Sequence, residues 1–122
     1  MHLIIDGYSN NSTVLRDKEY LHDWLDGYPA TIGMTKISPS FVTKYTGPNP
    51  KDWGISGFVV IAESHISFHT FVERDYVNVD VFSCKDFDAD KVISDIQNTF
   101  QLVESWHRLI DREWTAKPTA RN

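Results

Sequence analysis

Apolar and polar residues alternate in several stretches of the chain, and this pattern predicts strands. Strands are predicted over 2–6 and then, in quick order, over 55–62, 65–72 and 76–84. Residues 34–45 also have a strand-like pattern, in which Pro39 indicates an edge or a bulge. The prolines and glycines of 47–54 predict a loop before the second strand.

Two other stretches carry apolar residues at helical spacing. Their apolar faces consist of Tyr20, Leu21, Trp24 and Leu25 in the first, and of Val92, Ile93, Ile96 and Phe100 in the second. Asp17 is expected to cap the start of the first helix, and Gly27 with Pro29 is expected to end it. Asp88 or Asp90 lies near the start of the second helix, where a carboxylate can accept from free backbone N–H groups.

The order of these elements predicts an α+β fold. Residues 101–114 fit either a strand or a helix, because the early residues alternate whereas Trp106 and Leu109 have helical spacing. The tail after Trp114 is expected to be loose. The simplest architecture is a two-layer α/β sandwich, in which helices cover one face of an antiparallel sheet. The other face then needs a cover, and a second copy of the sheet would provide it.

Length and composition predict one domain over 1–122, because 122 residues with 41% hydrophobic content can form a single core. The net charge of −5 argues against a nucleic acid or an anionic membrane as partner. The single cysteine, Cys84, cannot form an internal disulfide, which favours a reducing compartment. The N-terminal apolar run is too short for a signal peptide and no window suits a membrane span, so a soluble cytoplasmic protein is expected.

Reactive side chains are concentrated in the stretch AESHISFHTF, residues 62–71. Because side chains alternate across a strand, one face is expected to carry His65, Ser67, His69, Phe71 and Glu73. The neighbouring strand is expected to present Cys84 on a face shared with Tyr76, Asn78, Asp80 and Phe82. The opposite face of the first strand carries Ile66, Phe68 and Thr70. That of the second carries Val77, Val79, Val81 and Ser83, and its valines suit packing under helices.

Two generic kinds of site are disfavoured by this pattern. His65 and His69 would lie about 13 Å apart on a strand, too far for one shared zinc ion, so no metal is expected. A serine hydrolase would need a G-x-S-x-G elbow around its nucleophile, and Ser64 has none. The simplest structural interpretation is that Ser64 and the histidines are polar residues where a strand bends.

The run ESHISFHT, residues 63–70, resembles the processing site of prokaryotic S-adenosylmethionine decarboxylases, which is close to ESH-x-x-x-HT. HLIIDGYS at 2–9 is similar to the N-terminal strand of that family, and GISG at 54–57 is similar to its GVSG turn. YVNVDVFSC at 76–84 is similar to its strand that ends in a catalytic cysteine. The order and spacing agree from the N-terminus to Cys84, and the length fits the short bacterial and archaeal class.

The resemblance implies a proenzyme that makes its own pyruvoyl cofactor. The Ser64 hydroxyl would attack the carbonyl of Glu63, and the resulting ester would eliminate and hydrolyse, leaving a pyruvoyl group at position 64. His69 resembles the processing base of the family, and Ser56 resembles its processing hydroxyl. The pyruvoyl carbonyl would form a Schiff base with the substrate amine and accept electrons as CO2 leaves. Cys84 resembles the group that returns a proton.

Substrate-facing residues follow from the same resemblance. Phe71 stands where the family stacks an aromatic ring on adenine, and Glu73 stands where a carboxylate binds the ribose hydroxyls. The family usually has F-x-P-x-G before its glycine turn, but here the sequence is PKDWG, so Pro50 occupies the Phe position and Trp53 is the candidate substitute. The family site lies at a dimer interface in an αββα four-layer arrangement, so a homodimer is expected.

Two alternatives remain beside decarboxylation of S-adenosylmethionine for spermidine synthesis. Relatives of this family decarboxylate arginine or ornithine, and Asp52 is a candidate for binding a cationic side chain. The chain is also compatible with an unprocessed, non-catalytic homologue that acts as a regulatory or binding subunit. The processing residues match the family pattern, and the substrate-facing residues are the ones that depart from it.

Overall fold

The structure, a computed structural model, describes residues 1–112. In this part of the chain the strands are β1 (His2–Ser9), β2 (Phe41–Tyr45), β3 (Gly54–Ile61), β4 (Ser64–Phe71), β5 (Tyr76–Ser83) and β6 (Leu102–Ile110). The helices are α1 (Ser12–Arg16), α2 (Lys18–Thr31) and α3 (Ala89–Phe100), and short 3-10 turns occur at Pro50–Asp52 and Val72–Arg74. The tail after Trp114, predicted to be loose, lies outside the described residues.

All six strands of the described part form one antiparallel sheet in the order β2-β3-β4-β5-β1-β6. Strands β2 to β5 follow one another as neighbours, whereas β1 is inserted between β5 and β6. This confirms the predicted α+β class with an antiparallel sheet. Within residues 1–112, no helix is long and apolar enough to cross a membrane.

The core lies between the helices and one face of the sheet. Its buried residues include Leu3, Ile5, Leu21, Leu25, Ile66, Phe68, Val77, Val79, Val81, Val92, Ile96 and Phe100. The alternation expected for β4 and β5 is confirmed, because their predicted apolar faces are buried. The opposite face, which we call the open face, still exposes large rings: Phe58 is 42% exposed, Phe41 65% and Trp106 51%.

Both predicted helices are present, with one end misplaced. The side chain of Asp17 accepts from the N–H of Tyr20 at 3.0 Å, so the predicted cap of α2 is confirmed. The predicted end at Gly27 was wrong, because α2 continues through Pro29 to Thr31. Pro29 lacks a backbone N–H, but it lies close to the end of the helix, so only one hydrogen bond is lost, and its ring is buried.

Three other segments add to or change the picture from the sequence. Residues 34–40 form no regular strand; only Lys36 bridges to Ile61, and the strand begins after Pro39 at Phe41. The short helix α1, which the sequence analysis missed, is capped by the Asn11 side chain accepting from the N–H of Thr13 at 3.1 Å. Residues 102–110 form a strand, which is one of the two alternatives that the sequence left open.

Candidate active site

The Glu63–Ser64 peptide lies in a tight turn at the end of the sheet. Ile61 of β3 pairs with Ser64 of β4, so that Ala62 and Glu63 alone connect the two strands. The backbone carbonyl of Glu63 accepts a hydrogen bond from the backbone N–H of Cys84 at 2.9 Å. The turn therefore holds this peptide at a fixed position beside the end of β5.

Cys84 is an exposed free thiol next to a cavity of about 630 Å³. The cavity is lined by Met1, Phe82, Ser83, Cys84, Asp86, Asp111 and Arg112. Cys84 was expected on the last position of a strand, but β5 ends at Ser83 and Cys84 begins the following loop. Its position beside the Glu63–Ser64 turn is nevertheless fixed, because Ser83 pairs directly with Ser64 across the ladder.

Ser56 and His69 form a second cluster on the open face. They lie opposite each other on β3 and β4, and Ser56 Oγ is 2.7 Å from His69 Nδ1. The pair lines a shallow depression of about 200 Å³ together with Phe41, Gly57, Phe58 and Ser67. Sequence analysis proposed both residues for processing, and the structure places them in direct contact.

The glycines of the GISG stretch have a steric role. A Cβ atom at Gly54 would lie 1.7 Å from the carbonyl oxygen of Thr70, and one at Gly57 would lie 2.2 Å from the ring of Phe68. Both distances are far shorter than any van der Waals contact. Glycine at position 54 therefore lets the backbone at Thr70 come close, and glycine at position 57 leaves room for the buried ring of Phe68, on either side of Ser56.

The proposed substrate-facing residues Trp53 and Glu73 also meet. Trp53 Nε1 donates to Glu73 Oε1 at 3.0 Å, and Lys44 Nζ lies 4.8 Å from the centre of the Trp53 ring. Glu73 was expected to continue the face of a strand, but it lies in the 3-10 turn that follows β4. Phe71 remains on the strand, and its ring centre is 5.9 Å from that of Tyr76.

Asp52 and Pro50 belong to the adjoining loop. A depression of about 350 Å³ is lined by Lys44, Thr46, Gly47, Pro50 and Trp53. Asp52 Oδ1 accepts two hydrogen bonds from Arg74, at 2.8 Å and 3.2 Å. The carboxylate considered for a cationic substrate is therefore engaged with a cation of the chain itself.

His65 lies between aromatic rings on the open face rather than beside His69. Its ring centre is 5.4 Å from that of Phe58 and 5.5 Å from that of Phe82. Burial is the main cause that lowers the pKa of His65, and the nearby His2 lowers it further, while Asp80 opposes both. Within residues 1–112, no three His, Cys, Asp or Glu side chains converge in an arrangement able to hold a metal ion.

The residues proposed for self-cleavage do not all meet within one chain. Ser64 and His69 are five residues apart on β4, which separates them by about 16 Å along the strand. Strand alternation also places Ser64 on the side of Ile66 and Phe68, whereas His69 lies on the open face. The described chain therefore carries two half-sites, one around Glu63, Ser64 and Cys84, and another around Ser56 and His69.

Residues 1–113 match the family model described as S-adenosylmethionine decarboxylase. The chain belongs to the S-adenosylmethionine decarboxylase family. The resemblance seen in the ESHISFHT run thus extends over almost the whole length.

Several S-adenosylmethionine decarboxylase proenzymes are similar to this chain over most of its length. The S-adenosylmethionine decarboxylase proenzyme of Clostridium botulinum (strain Loch Maree / Type A3) is 35% identical over 94 residues, covering 76% of each chain. The proenzyme of Thermoplasma acidophilum is 36% identical over 86 residues, 70% of this chain and 61% of that protein. The crystal structure of the adenosylmethionine decarboxylase from Aquifex aeolicus VF5 superposes with a TM-score of 0.72 at 25% identity, covering 94% of this chain and 95% of the other.

Proposed function

We propose that this chain cuts itself between Glu63 and Ser64 and then, as a pyruvoyl-dependent enzyme, decarboxylates S-adenosylmethionine to supply aminopropyl groups for spermidine synthesis. Family membership supports the reaction class. The observation that carries the proposal is the hydrogen bond from the Cys84 N–H to the Glu63 carbonyl, because this carbonyl is the one that must be attacked.

The first step is attack of Ser64 Oγ on the carbonyl carbon of Glu63. Negative charge then develops on the carbonyl oxygen, to which the Cys84 N–H already donates at 2.9 Å. A donor fixed at the developing oxyanion typically accelerates such a step by roughly 100- to 1000-fold. Departure of the Ser64 nitrogen from the tetrahedral centre leaves an ester between Glu63 and the Ser64 side chain.

The second step removes the α-proton of residue 64. The Cβ–Oγ bond breaks, the Glu63 carboxylate leaves, and the dehydroalanine that remains takes up one water and releases ammonia. His69 is the proposed base, with Ser56 fixing its ring from 2.7 Å. Ser64 and its surroundings thus suit the formation of a pyruvoyl group. Ser64 supplies the hydroxyl, the adjoining peptide is held in a turn, and a cavity lies beside that turn.

His69 cannot perform this role within its own chain, because it lies about 16 Å along β4 from Ser64. A second copy stacked on the open face around a two-fold axis would bring the Ser56–His69 half-site of one chain to the Glu63–Ser64 half-site of the other. The exposed rings of Phe41 and Phe58 on that face support such a contact. We therefore propose a homodimer with two shared sites, in the αββα arrangement.

In the processed enzyme the pyruvoyl carbonyl would serve as the electron sink for loss of CO2 from an α-amino acid. The Cys84 thiol, exposed beside residue 64, is the proposed donor that returns a proton to the product. Trp53 and Glu73 are proposed to hold the adenosine part, and their mutual hydrogen bond fixes ring and carboxylate relative to each other. Phe71 is proposed to stack on the adenine.

Among the alternative substrates, arginine and ornithine are less well supported. Their cationic side chains would need a free carboxylate, and the candidate Asp52 is already bonded to Arg74. Binding of a guanidinium at Asp52 would require that ion pair to break. This observation favours S-adenosylmethionine.

Intact-mass spectrometry of the purified protein, followed by CO2 release from carboxyl-labelled S-adenosylmethionine, arginine and ornithine, tests the proposal. We expect fragments 1–63 and 64–122, a blocked start on the second fragment, and CO2 from S-adenosylmethionine alone. Ser64→Ala should stay whole, while the control Ser94→Ala, on the exposed side of α3, should cleave normally. A wild-type chain that stays whole would instead support the non-catalytic homologue, and CO2 from arginine or ornithine would support the rival substrates.

A further inference from the structure

The outer edge of β6 has no partner strand among residues 1–112, because β6 ends the sheet. This edge spans nine residues, Leu102–Ile110, whereas the opposite edge strand, β2, has five and carries Lys44. Natural edge strands are usually short, or are blocked by lysine, proline or a bulge, because their free backbone groups invite pairing with another chain. The long edge of β6 lacks proline and lysine, and its one irregularity against β1, at Val103, lies at the start of the strand, so that Glu104 to Ile110 pair regularly.

The hydrogen-bond pattern shows which groups of β6 point outward. Met1 and Ser83 exchange both backbone hydrogen bonds, at 2.7 Å and 2.9 Å. In an antiparallel ladder such pairs recur at every second residue, so the odd-numbered residues of β1 bond to β5 and the even-numbered ones to β6. Asp6 lies opposite Trp106. Over the regular part of the ladder, Glu104 to Ile110, the even-numbered residues of β6 therefore face β1, and the outward-pointing backbone groups belong to Ser105, His107 and Leu109.

The sequence of β6 is complementary to its own reverse. Read from the centre at Trp106, the strand LVESWHRLI pairs each residue with a matching one: Ser105 with His107, Glu104 with Arg108, Val103 with Leu109, and Leu102 with Ile110. Two such strands running antiparallel about Trp106 would place opposite charges across from each other on one face and apolar side chains across from each other on the other.

We propose that two copies of this chain pair through β6, antiparallel and with a two-fold axis at Trp106. In this register, Ser105 of each copy pairs with His107 of the other, so the central outward backbone groups find partners, and Leu109 lies across from Val103 of the second copy, where the regular ladder ends. A shift by one residue would oppose outward groups to groups already bonded to β1. A shift by two would preserve the ladder but would separate Glu104 from Arg108 of the second copy.

This pairing explains exposed side chains that the proposed face-to-face dimer leaves uncovered. Val103 is 66% exposed and Leu109 is 48% exposed. Leu109 lies opposite the buried Leu3, so its side chain is on the helix side of the sheet, away from the open face. In the edge pairing, Leu109 of one chain lies across from Val103 of the other, at the end of the regular ladder. The inference does not depend on self-cleavage, and together with the open-face contact it predicts a four-chain assembly.

Charge reversal tests the register. Glu104→Arg and Arg108→Glu each oppose like charges at both symmetric positions, whereas the double swap restores opposite charges. We expect sedimentation of the full chain to show a wild-type particle, up to four times the 14.1 kDa chain mass, that halves in mass in either single variant. The association constant should fall roughly tenfold or more, and return to within about threefold of wild type in the double swap.

A second variant keeps the test independent of charge. His107→Pro removes an N–H that points away from β1 and has no partner strand among residues 1–112, so the fold should survive while the edge pairing is lost. Mixing Glu104→Arg with Arg108→Glu should restore the larger particle, because opposite charges meet again. If all variants sediment like the wild type, because the edge stays free or because 113–122 of the same chain cover it, the proposal is wrong. A double swap that behaves like the single variants would equally overturn the proposed register.

Discussion

Mixing two cleavage-defective variants tests whether one processing site is built from two chains. Ser64→Ala retains the Ser56–His69 half-site but has no nucleophile. His69→Ala retains the nucleophile and the Cys84 N–H but has no base. Neither variant should cleave by itself. In a mixed dimer, the intact half-site of the Ser64→Ala chain would meet Ser64 of the His69→Ala chain.

The expected extent of cleavage follows from the geometry. A separation of about 16 Å on one rigid strand is more than five times a hydrogen-bond length, so His69 cannot reach its own residue 64. With equal co-expression and random pairing, about half of the His69→Ala chains should have a Ser64→Ala partner, and about half should therefore cleave. The Ser64→Ala chains should remain whole.

Intact-mass spectrometry of differently tagged chains measures this fraction directly. As a matched control, wild type co-expressed with a chain lacking both Ser64 and His69 should cleave only about half of its wild-type chains, since half have a partner without the base. Absence of cleavage in the first mixture, together with complete cleavage of wild type in the second, would show that one chain suffices. That result would refute the shared site.

Two further predictions concern stability. Thr70→Val should destabilise the fold by about 2–4 kcal/mol in chemical denaturation, because the buried hydroxyl joins a backbone N–H at 2.9 Å to a carbonyl at 2.8 Å, and valine leaves both unsatisfied. The exposed Thr13→Val should change little, and a loss below about 1 kcal/mol at Thr70 would contradict this account. For His65, burial and the nearby His2 lower the folded-state pKa below its ordinary value near 6.5, so its contribution is present above that pH and is lost as the pH falls through the folded-state pKa. His65→Phe should reduce the loss of unfolding free energy between pH 7 and pH 5, whereas His22→Gln, at a half-buried position on α2, should not. Equal slopes in all three proteins would count against the assignment.

Sequence patterns predicted the sheet best where one face is fully buried. Val77, Val79 and Val81 alternate with polar residues, and burial under the helices leaves only one register for such a strand. The end of α2 was misplaced because tertiary packing around Pro29 outweighs its local tendency to stop a helix. At 34–40 the apolar residues suggested a strand, but whether a segment pairs depends on neighbours that local sequence does not specify.

For the candidate site, too, some features could be predicted from the sequence and others could not. The Ser56–His69 contact depends on residues that were identified by their resemblance to a family pattern, but their 2.7 Å separation depends on the register between β3 and β4. The Cys84 N–H beside the Glu63 carbonyl had no signal in the sequence, because every residue other than proline has such a group. The engagement of Asp52 by Arg74 was equally hidden, since it depends on how two loops meet.

The order of the strands has a consequence for the mature protein. A cut after Glu63 would assign β1, β2 and β3 to one polypeptide and β4, β5 and β6 to the other. Because β1 lies between β5 and β6, and β3 pairs with β4, strands of the two polypeptides would alternate within one sheet. Separating the two polypeptides would require breaking the backbone hydrogen bonds of the sheet. The cleaved protein should therefore co-elute as one particle in every native separation, and its fragments should separate only in denaturant.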